Sequence, residues 1–203
     1  MLTNKSTEEK IIAAAKTVFL KEGFDGARMQ DIANEAGINK ALLHYYFRNK
    51  DKLFEMIFIQ ATQKMIPAIN SVFDSSDDLF QKIREFVSTY TNMLSDNPYL
   101  PLFIANELSK NPEKIINLIT AGSNDKPHFK KFIMAIQEAI SQKQIKPIKP
   151  ISLFINIMSL CIFPYLAKPM MQFFLKLDEL EYRLMLEQRK QEIADFIIDS
   201  IKI

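Results

Sequence analysis

Two short helical segments separated by a glycine constrain this chain more than any other feature. Apolar residues at helical spacing run from Met29 to Ala36, and a second such run follows Gly37 and ends near Phe47. The side chain of Asn39 can cap the second helix, and glycine readily adopts the left-handed conformation of a tight turn. Two helices of this length joined by a turn of three or four residues form a helix-turn-helix. The sequence therefore predicts this motif within residues 29–47.

A longer helix precedes the motif and another follows it. Ser6 and Glu9 form a capping-box pattern, so the first helix is expected over residues 6–23, with Gly23 as its end. Asn49 is expected to cap the fourth helix. The residues predicted to face inward recur three or four positions apart. They are Ile11, Ile12, Ala15, Val18, Phe19, Ile32, Ala33, Leu43, Tyr46, Phe47, Leu53, Phe54, Ile57 and Phe58.

The rest of the chain is also predicted to be helical. Breaks are expected at 75–78, 97–98, 111–112, 122–127 and 146–150, with helices near 78–95, 99–110, 113–120, 127–143, 151–167 and 178–201. Only four glycines occur in 203 residues, which argues against a turn-rich β fold. The short connections are typical of a helical bundle. The predicted fold class is all-α, with a helix-turn-helix domain over residues 1–60 and a helical bundle over residues 61–203.

Charge and side-chain chemistry narrow the classes of function. The formal net charge is only +2, so an argument for nucleic-acid binding must be local. Residues 37–50 supply that argument, because they contain Lys40, His44, Arg48 and Lys50 and no acidic residue. The chain has two histidines and one cysteine, Cys161, and no metal cluster or nucleophile–base pair is visible. No enzyme activity, metal or cofactor is therefore expected.

Several short motifs in residues 6–58 occur in a characteristic order and spacing. They are Ile11-Ile12-Ala13-Ala14-Ala15, Phe19, Gly23-Phe24, Asp31-Ile32-Ala33, Ala36-Gly37-Ile38, Lys40, Leu43, Tyr46-Phe47, Lys50 and Leu53-Phe54. With them the segment resembles the N-terminal DNA-binding domain of the TetR (tetracycline repressor) family of bacterial transcription regulators. The chain departs from the family at Arg28, commonly Ser or Thr, at Ala41-Leu42, commonly Gly-Thr, and at His44, commonly Tyr.

The resemblance and the residue chemistry together predict a set of DNA contacts. Lys40 suits a guanine edge or a phosphate, whereas Ala41 and Leu42 suit thymine methyl groups in the major groove. Packing of Leu42 on the first helix is the alternative. His44 and Tyr45 are expected to donate to phosphates. The predicted contacts are Arg28, Gln30, Asn39, Lys40, Ala41, Leu42, His44, Tyr45 and Lys50.

The resemblance also implies partners. It predicts a homodimer on a palindromic double-stranded DNA operator and a small, largely apolar effector. The helices near 151–167 and 178–201 are expected to form the dimer interface, although burial within one subunit explains some of their apolar surface equally well. Phe103, Met134, Met158 and Phe163 are predicted to line the effector pocket, with ordinary core packing as the alternative.

Two segments bear on location. The N-terminal residues lack the apolar core of a signal peptide, and the apolar run from Ile151 to Leu166 is shorter than the roughly 20 residues of a bilayer span. A cytoplasmic regulator without stable membrane insertion, most simply a repressor, is therefore expected. The alternative is a helical small-molecule-binding or membrane-surface protein without specific DNA binding, which the apolar and slightly basic segment 164–177 keeps open.

Overall fold

The computed structural model describes residues 6–122 and 126–203, which form eleven helices. They are α1 (Thr7–Gly26), α2 (Met29–Glu35), α3 (Lys40–Tyr46), α4 (Lys50–Asp74), α5 (Leu79–Asp96), α6 (Leu100–Lys110), α7 (Pro112–Gly122), α8 (Phe129–Ser141), α9 (Pro150–Leu166), α10 (Lys168–Leu175) and α11 (Glu179–Ile201). Within these ranges no strand forms, and an isolated antiparallel bridge joins Ile145 to Lys202. The all-α fold class is confirmed.

The helices pack into two compact units. The first unit contains the chain up to Gln63 and a later segment from Pro98 through α7. The second unit contains Lys64–Asn97 and the described chain from Lys126 onward. Because α6 and α7 pack with the first unit, these units differ from the sequence division at residue 60. That division assigns functions to the two parts of the chain, and it stays a prediction.

Local capping sets the start of α1 as predicted. The Ser6 hydroxyl accepts a hydrogen bond from the Glu9 backbone N–H, and the Glu9 carboxylate accepts one from the Ser6 N–H. These bonds satisfy two of the donors that a helix start leaves without intrahelical partners. At Gly23 the backbone leaves helical geometry (φ 68°, ψ 175°), and one further turn follows before α1 ends at Gly26.

Aromatic rings dominate the core of the first unit. The ring of Phe54 lies 5.2 Å from that of Phe19 and 5.0 Å from that of Phe24, in edge-to-face geometry. Phe103 of α6 lies 3.8 Å from Phe54, measured between ring centroids. Such aromatic pairs contribute about 0.5–1.5 kcal/mol each beyond the burial of their surface. This core holds α1, α4 and α6 together and supports the helix-turn-helix.

The second unit has its own core, to which one face of α5 contributes. Ile83, Phe86 and Val87 are fully buried there, and Phe86 packs near Phe132 of α8. Inside this core the Tyr165 hydroxyl donates to the Thr91 carbonyl oxygen at 3.2 Å. Burial raises the pKa of Tyr165, so the phenol stays neutral and able to donate.

The helix α10 is not predicted from the sequence, although its residues lie in the apolar segment 164–177. The predicted break over residues 122–127 includes residues 123–125, which lie outside the described residues. In the described part of the chain, no single helix has the length and composition to span a bilayer; α9 and α10 meet that test only as a pair bent by 71°.

Candidate nucleic-acid interface

The turn between α2 and α3 brings the two helices of the motif together. Gly37 has φ +66°, a left-handed conformation that glycine adopts without steric cost. The N–H of Gly37 donates to the Asn34 carbonyl oxygen (3.1 Å), and the N–H of Ile38 donates to that of Ala33 (3.0 Å). These bonds close the end of α2, and half-buried Ile38 packs against the core. The predicted helix-turn-helix is confirmed.

Asn39 starts α3 as predicted. Its side-chain oxygen accepts a hydrogen bond from the Leu42 N–H at 2.8 Å, and this bond is worth about 0.5–2 kcal/mol of helix stability. Leu43 is fully buried, and Phe47 directly after α3 is buried as well. These two side chains anchor α3, so the rest of the short helix stays on the surface.

The exposed face of α3 contains the predicted contacts. Lys40, Ala41, Leu42, His44 and Tyr45 are all exposed. The ring of Tyr45 is 83% accessible, and Leu42 keeps 37% of its surface accessible. The structure therefore brings these five residues together on one short helix, outside the core. Their contacts with DNA stay predictions.

The assignment of Tyr46 to the core was wrong. Tyr46 is 41% exposed, and its ring meets that of Tyr45 edge to face at 5.6 Å. Leu43 and Phe47 already fill the inward positions of a helix with only two turns, so Tyr46 lies at the edge of the buried face. Its hydroxyl belongs among the candidate phosphate donors, and so does the exposed side chain of Arg48. The exposure of Tyr46 cannot be predicted from the sequence pattern, because apolar periodicity does not separate a tyrosine at the boundary of the core from a buried one.

His44 has a restricted hydrogen-bonding role. Its Nδ1 lies 3.1 Å from the Arg48 carbonyl oxygen. A carbonyl only accepts, so this contact assigns a proton to Nδ1 and leaves Nε2 for other partners. A neutral ring of this tautomer would present only an acceptor at Nε2. The predicted donation to a phosphate therefore requires the doubly protonated ring.

The two candidates near the start of α2 are both exposed. Arg28 occupies the cap position of α2 without a side-chain capping bond, which leaves its guanidinium available for other partners. The amide Nε2 of Gln30 donates to the Asn34 side-chain oxygen at 3.0 Å. Direct contact of this amide group with a base edge would have to share or replace that bond.

Lys50 differs from the other candidates because its ammonium already has partners. Its Nζ donates to the backbone carbonyl oxygens of Phe24 (2.6 Å), Ala27 (2.9 Å) and Asp25 (3.3 Å). It also lies 4.6 Å from the centre of the Phe24 ring. The predicted phosphate contact stays a prediction, and a phosphate would compete with these carbonyl groups.

The four residues predicted to line an effector pocket have different surroundings. Phe103 packs in the aromatic core of the first unit, and half-buried Met158 packs against the core of the second. Met134 and Phe163 are more than half exposed. Phe103 and Met158 thus pack in the cores of different units. Their role in binding an effector stays a prediction.

Described residues of the second unit line a larger and a smaller cavity. The larger, of about 490 Å³, is lined by groups of mixed polarity that include Phe73, Ser75, Asp78, Lys82, Met134 and Glu138. The smaller, of about 280 Å³, lies between α9 and α11 and is lined by Leu160, Arg189, Glu192, Ile193 and Phe196. Within the described residues, no group of three or more His, Cys, Asp or Glu side chains could hold a metal ion.

A helix-turn-helix with an exposed, basic second helix defines the class of a DNA-binding protein. Residues 11–57 match the sequence profile of the bacterial regulatory proteins of the tetR family. The chain is 29% identical over 125 residues to the HTH-type transcriptional repressor NicS of Pseudomonas putida, a match that covers 62% of this chain and 52% of NicS. It is 22% identical over 155 residues to the transcriptional regulator YfiR of Bacillus subtilis, 71% of each chain.

Among solved structures, the hemolysin II transcriptional regulator HlyIIR has a similar fold. It superposes with a TM-score of 0.63 at 22% identity and 97% coverage of both chains, and at this identity the likeness concerns the fold alone. The profile match covers residues 11–57 and shows that this segment is a helix-turn-helix domain of the tetR type. The profile and the relatives together support a DNA-binding transcriptional regulator of the helix-turn-helix type.

Proposed function

We propose that this regulator binds a palindromic operator as a homodimer and represses transcription until a small, largely apolar effector releases it. The single observation that carries the proposal is the exposed face of α3, which Leu43 and Phe47 anchor to the core from the opposite side. An exposed helix of this kind fits the major groove, where base edges present distinct patterns of donors, acceptors and methyl groups. Repression follows the example of NicS, which is named a repressor.

Each exposed group has a chemically suited target on DNA. Lys40 pairs with a guanine edge or a phosphate, and Ala41 and Leu42 meet thymine methyl groups. Arg28, Gln30 and the free amide of Asn39 reach the flanking backbone or bases, and His44 and Tyr45 donate to phosphates. Phosphate contacts set the register of the protein on the duplex, whereas base contacts select the sequence.

Dimerisation completes the site, because one module of this size makes too little contact for specific binding at physiological salt. The outer faces of α9 and α11 support a two-fold interface. α9 exposes Ile151, Ile155 and Phe163, and α11 exposes Leu184 and Phe196. In the dimer these apolar faces pair with their copies, and the two α3 helices read half-sites about 34–36 Å apart or a multiple of that distance.

The effector binds in the second unit and acts through the dimer. A ligand with different affinities for two arrangements of the reading heads shifts the population between them and so changes operator affinity. Extraction of the purified protein with organic solvent, followed by mass spectrometry, identifies a co-purified apolar effector. We place the regulator in the cytoplasm, where bacterial DNA is accessible.

Selection of bound duplexes from a random DNA pool tests the proposed function. The expected result is enrichment of an inverted repeat, with log affinity falling linearly as log salt concentration rises. Size-exclusion chromatography with light scattering on the enriched duplex should give two chains per site. A pool without an enriched motif contradicts the proposal, and so does a single chain bound to an asymmetric site.

One observation favours a second candidate function, attachment to a membrane surface. α10 exposes Phe173 (78%) and Phe174 (72%), and lysines 168 and 176 flank it. Exposed aromatic residues beside basic ones are typical of interfacial helices. Flotation with anionic vesicles, compared between the wild type and a Phe173→Ser/Phe174→Ser variant, tests this function. Vesicle binding that the variant loses supports it, and wild-type protein that stays at the bottom of the gradient rejects it.

A further inference from the structure

The ammonium group of Lys50 sits in a cluster of backbone carbonyl groups. Lys50 is the first residue of α4, yet its Nζ reaches the last turn of α1, 23 to 26 residues earlier in the chain. The carbonyl oxygens of Phe24, Asp25 and Ala27 lie 2.6, 3.3 and 2.9 Å from it. The face of the Phe24 ring adds a cation–π contact at 4.6 Å.

These contacts use the full donor capacity of the side chain. An ammonium has three N–H donors and no acceptor, and three carbonyl oxygens surround this one. The last carbonyl groups of a helix lack intrahelical partners and carry partial negative charge, so they attract a cation. A lysine at the start of α4 is unfavourable for that helix, but its charge lies at the end of α1, where it is favourable.

A second lysine in this chain uses the same arrangement. Lys82 of α5 is buried, and its Nζ donates to the carbonyl oxygens of Val72 (3.2 Å), Phe73 (3.3 Å) and Ser75 (2.6 Å) at the end of α4. Lys82 forms no ion pair with a described carboxylate. Because Lys82 is buried, its ammonium serves to satisfy the carbonyl groups at the end of α4. The ammonium of Lys50 has the same kind of partners at the end of α1, in the first unit.

We propose that Lys50 is a positioning residue for DNA reading, which fixes the chain between α1 and α2, rather than a phosphate contact. Its bond to the Ala27 carbonyl holds the residue directly before Arg28, and the Arg28 carbonyl in turn accepts the first bonds of α2, from the N–H groups of Asp31 and Ile32. Lys50 thereby sets where Arg28 and Gln30 emerge. The effect of Lys50 on DNA reading depends on the proposed function, in which Arg28 and Gln30 contact DNA, whereas its effect on stability does not.

The three carbonyl groups also select lysine over arginine. They surround a single point, which suits a compact ammonium, whereas the planar guanidinium of arginine directs its donors in a fixed fork. A phosphate has no such preference and binds arginine at least as well as lysine. Lys50→Arg therefore separates the two roles, because it retains the charge and disturbs the carbonyl cluster.

The first measurement needs no DNA. Lys50→Met and Lys50→Arg should each lower the melting temperature by about 2–8 °C, the range expected when one or two kcal/mol are lost from a protein of this size. Hydrogen exchange at the amides of Asp31 and Ile32 should accelerate in both variants. The matched control is Lys52→Met, which removes an exposed lysine whose partner is Glu55 on the same helix, and it should change neither quantity.

The second measurement uses the selected operator. Lys50→Arg should weaken binding without changing the slope of log affinity against log salt. Lys40→Gln, which removes a proposed DNA contact, should reduce that slope by about one. If Lys50→Met does not fold, Lys50→Arg alone carries both measurements.

The proposal would be overturned if Lys50→Arg left stability, hydrogen exchange and DNA affinity unchanged. A lower salt slope in Lys50→Met with unchanged stability would also overturn it. A wild type that selects no DNA contradicts the proposed function but leaves the first measurement valid.

Discussion

At the scale of single residues, α3 divides its side chains between two tasks. Leu43 and Phe47 are buried and hold the helix, whereas Lys40, Leu42 and Tyr45 are exposed. The exposed part of Leu42 is apolar surface in contact with water, and covering such surface is favourable by roughly 25 cal/mol per Å². A thymine methyl group would cover part of Leu42, which is why we propose Leu42 as a base contact.

A methyl-specific comparison tests Leu42. Replacing thymine by uracil at single operator positions removes only the 5-methyl group, so wild-type affinity should fall at the position that Leu42 contacts. The variant Leu42→Ser should bind the thymine and uracil forms of that position equally well in a filter-binding assay. Leu20→Ser, which changes an exposed leucine on α1, should retain the wild-type preference. A Leu42→Ser variant that still distinguishes thymine from uracil would contradict the methyl contact.

At the scale of elements, caps and turns set the geometry of the motif. The turn between α2 and α3 depends on Gly37, whose φ of +66° places it in the left-handed region. A Cβ atom added there would meet nothing within 4 Å, so space does not restrict the position and backbone conformation alone does. Left-handed geometry costs an ordinary L-residue about 1–2 kcal/mol.

Substitution of Gly37 should therefore destabilise the first unit through strain. Gly37→Ala should lower the free energy of unfolding by about 1 kcal/mol in urea titrations. Gly26→Ala is the control, because no positive φ is found there and its Cβ would only make an ordinary contact at 3.5 Å from the Glu22 Cβ. That variant should be neutral or slightly stabilising. Equal losses in the two variants would show that left-handed strain at Gly37 is not the cause.

Another element-scale contact ties the end of α4 to the start of α8. Asp74 accepts hydrogen bonds from Lys131 Nζ (2.8 Å) and His128 Nδ1 (3.0 Å). The hydrogen bond from Lys131 is the main cause that lowers the pKa of Asp74 from its ordinary 3.8, against the desolvation that raises it. A carboxyl group whose pKa is lower in the folded state than in the unfolded state stabilises the folded state at pH values above the unfolded pKa. The contribution is lost as the pH falls through the folded value.

The pH dependence of stability tests this contact. Asp74→Asn should lower the free energy of unfolding at pH 7, and its difference from the wild type should shrink as the pH falls below about 4, the ordinary Asp range. Urea titrations at pH 7, 5, 4 and 3 measure this difference. Lys131→Gln, which removes the main cause of the shift, should also reduce the acid dependence. A difference between Asp74→Asn and the wild type that is as large at pH 3 as at pH 7 would disprove the ionic contribution.

At the scale of the whole molecule, the packing units and the outer faces of the last helices matter most. The last helix, α11, buries Ile193, Ile197 and Ile201 within one subunit and leaves Leu184 and Phe196 exposed. Its apolar surface is thus shared between the core of one chain and a face open to a partner. Burial within one subunit accounts for the three isoleucines, and a dimer interface at Leu184 and Phe196 stays a prediction.

Charged substitutions on the open face should break the proposed dimer. Leu184→Glu/Phe196→Glu places two carboxylates on each side of a two-fold interface, where pairing with the copy would bury unpaired charge. Sedimentation velocity should show a monomer, and operator affinity should fall by more than about tenfold because specific binding needs both modules. Leu108→Glu, on the exposed side of α6, should remain dimeric. A monomeric wild type would refute the interface, and so would a double variant that remains dimeric.

Much of the fold could be predicted because its signals are local. The capping pairs at Ser6 and Asn39 act over three residues, and the periodicity of the buried residues in α5 acts over three or four. α10 was missed because Met170, Phe173 and Phe174 are all exposed, so it lacks the buried stripe that a periodicity argument requires. The exposed face of α3 was predicted from the same local periodicity, except for Tyr46 at its edge.

The sequence by itself determined the helices, their caps, the motif and the inward anchors of its second helix, because those features depend on interactions within about one helical turn. Only the tertiary structure decided where Lys50 places its ammonium and that Phe103 joins the aromatic core of the first unit. The partners of Lys50 lie 23 to 26 residues away, and Phe103 meets Phe54 across 49 positions of sequence. Contacts between residues so far apart in sequence depend on how the helices pack, and the spacing of apolar residues along the chain does not show which distant side chain will occupy a given site.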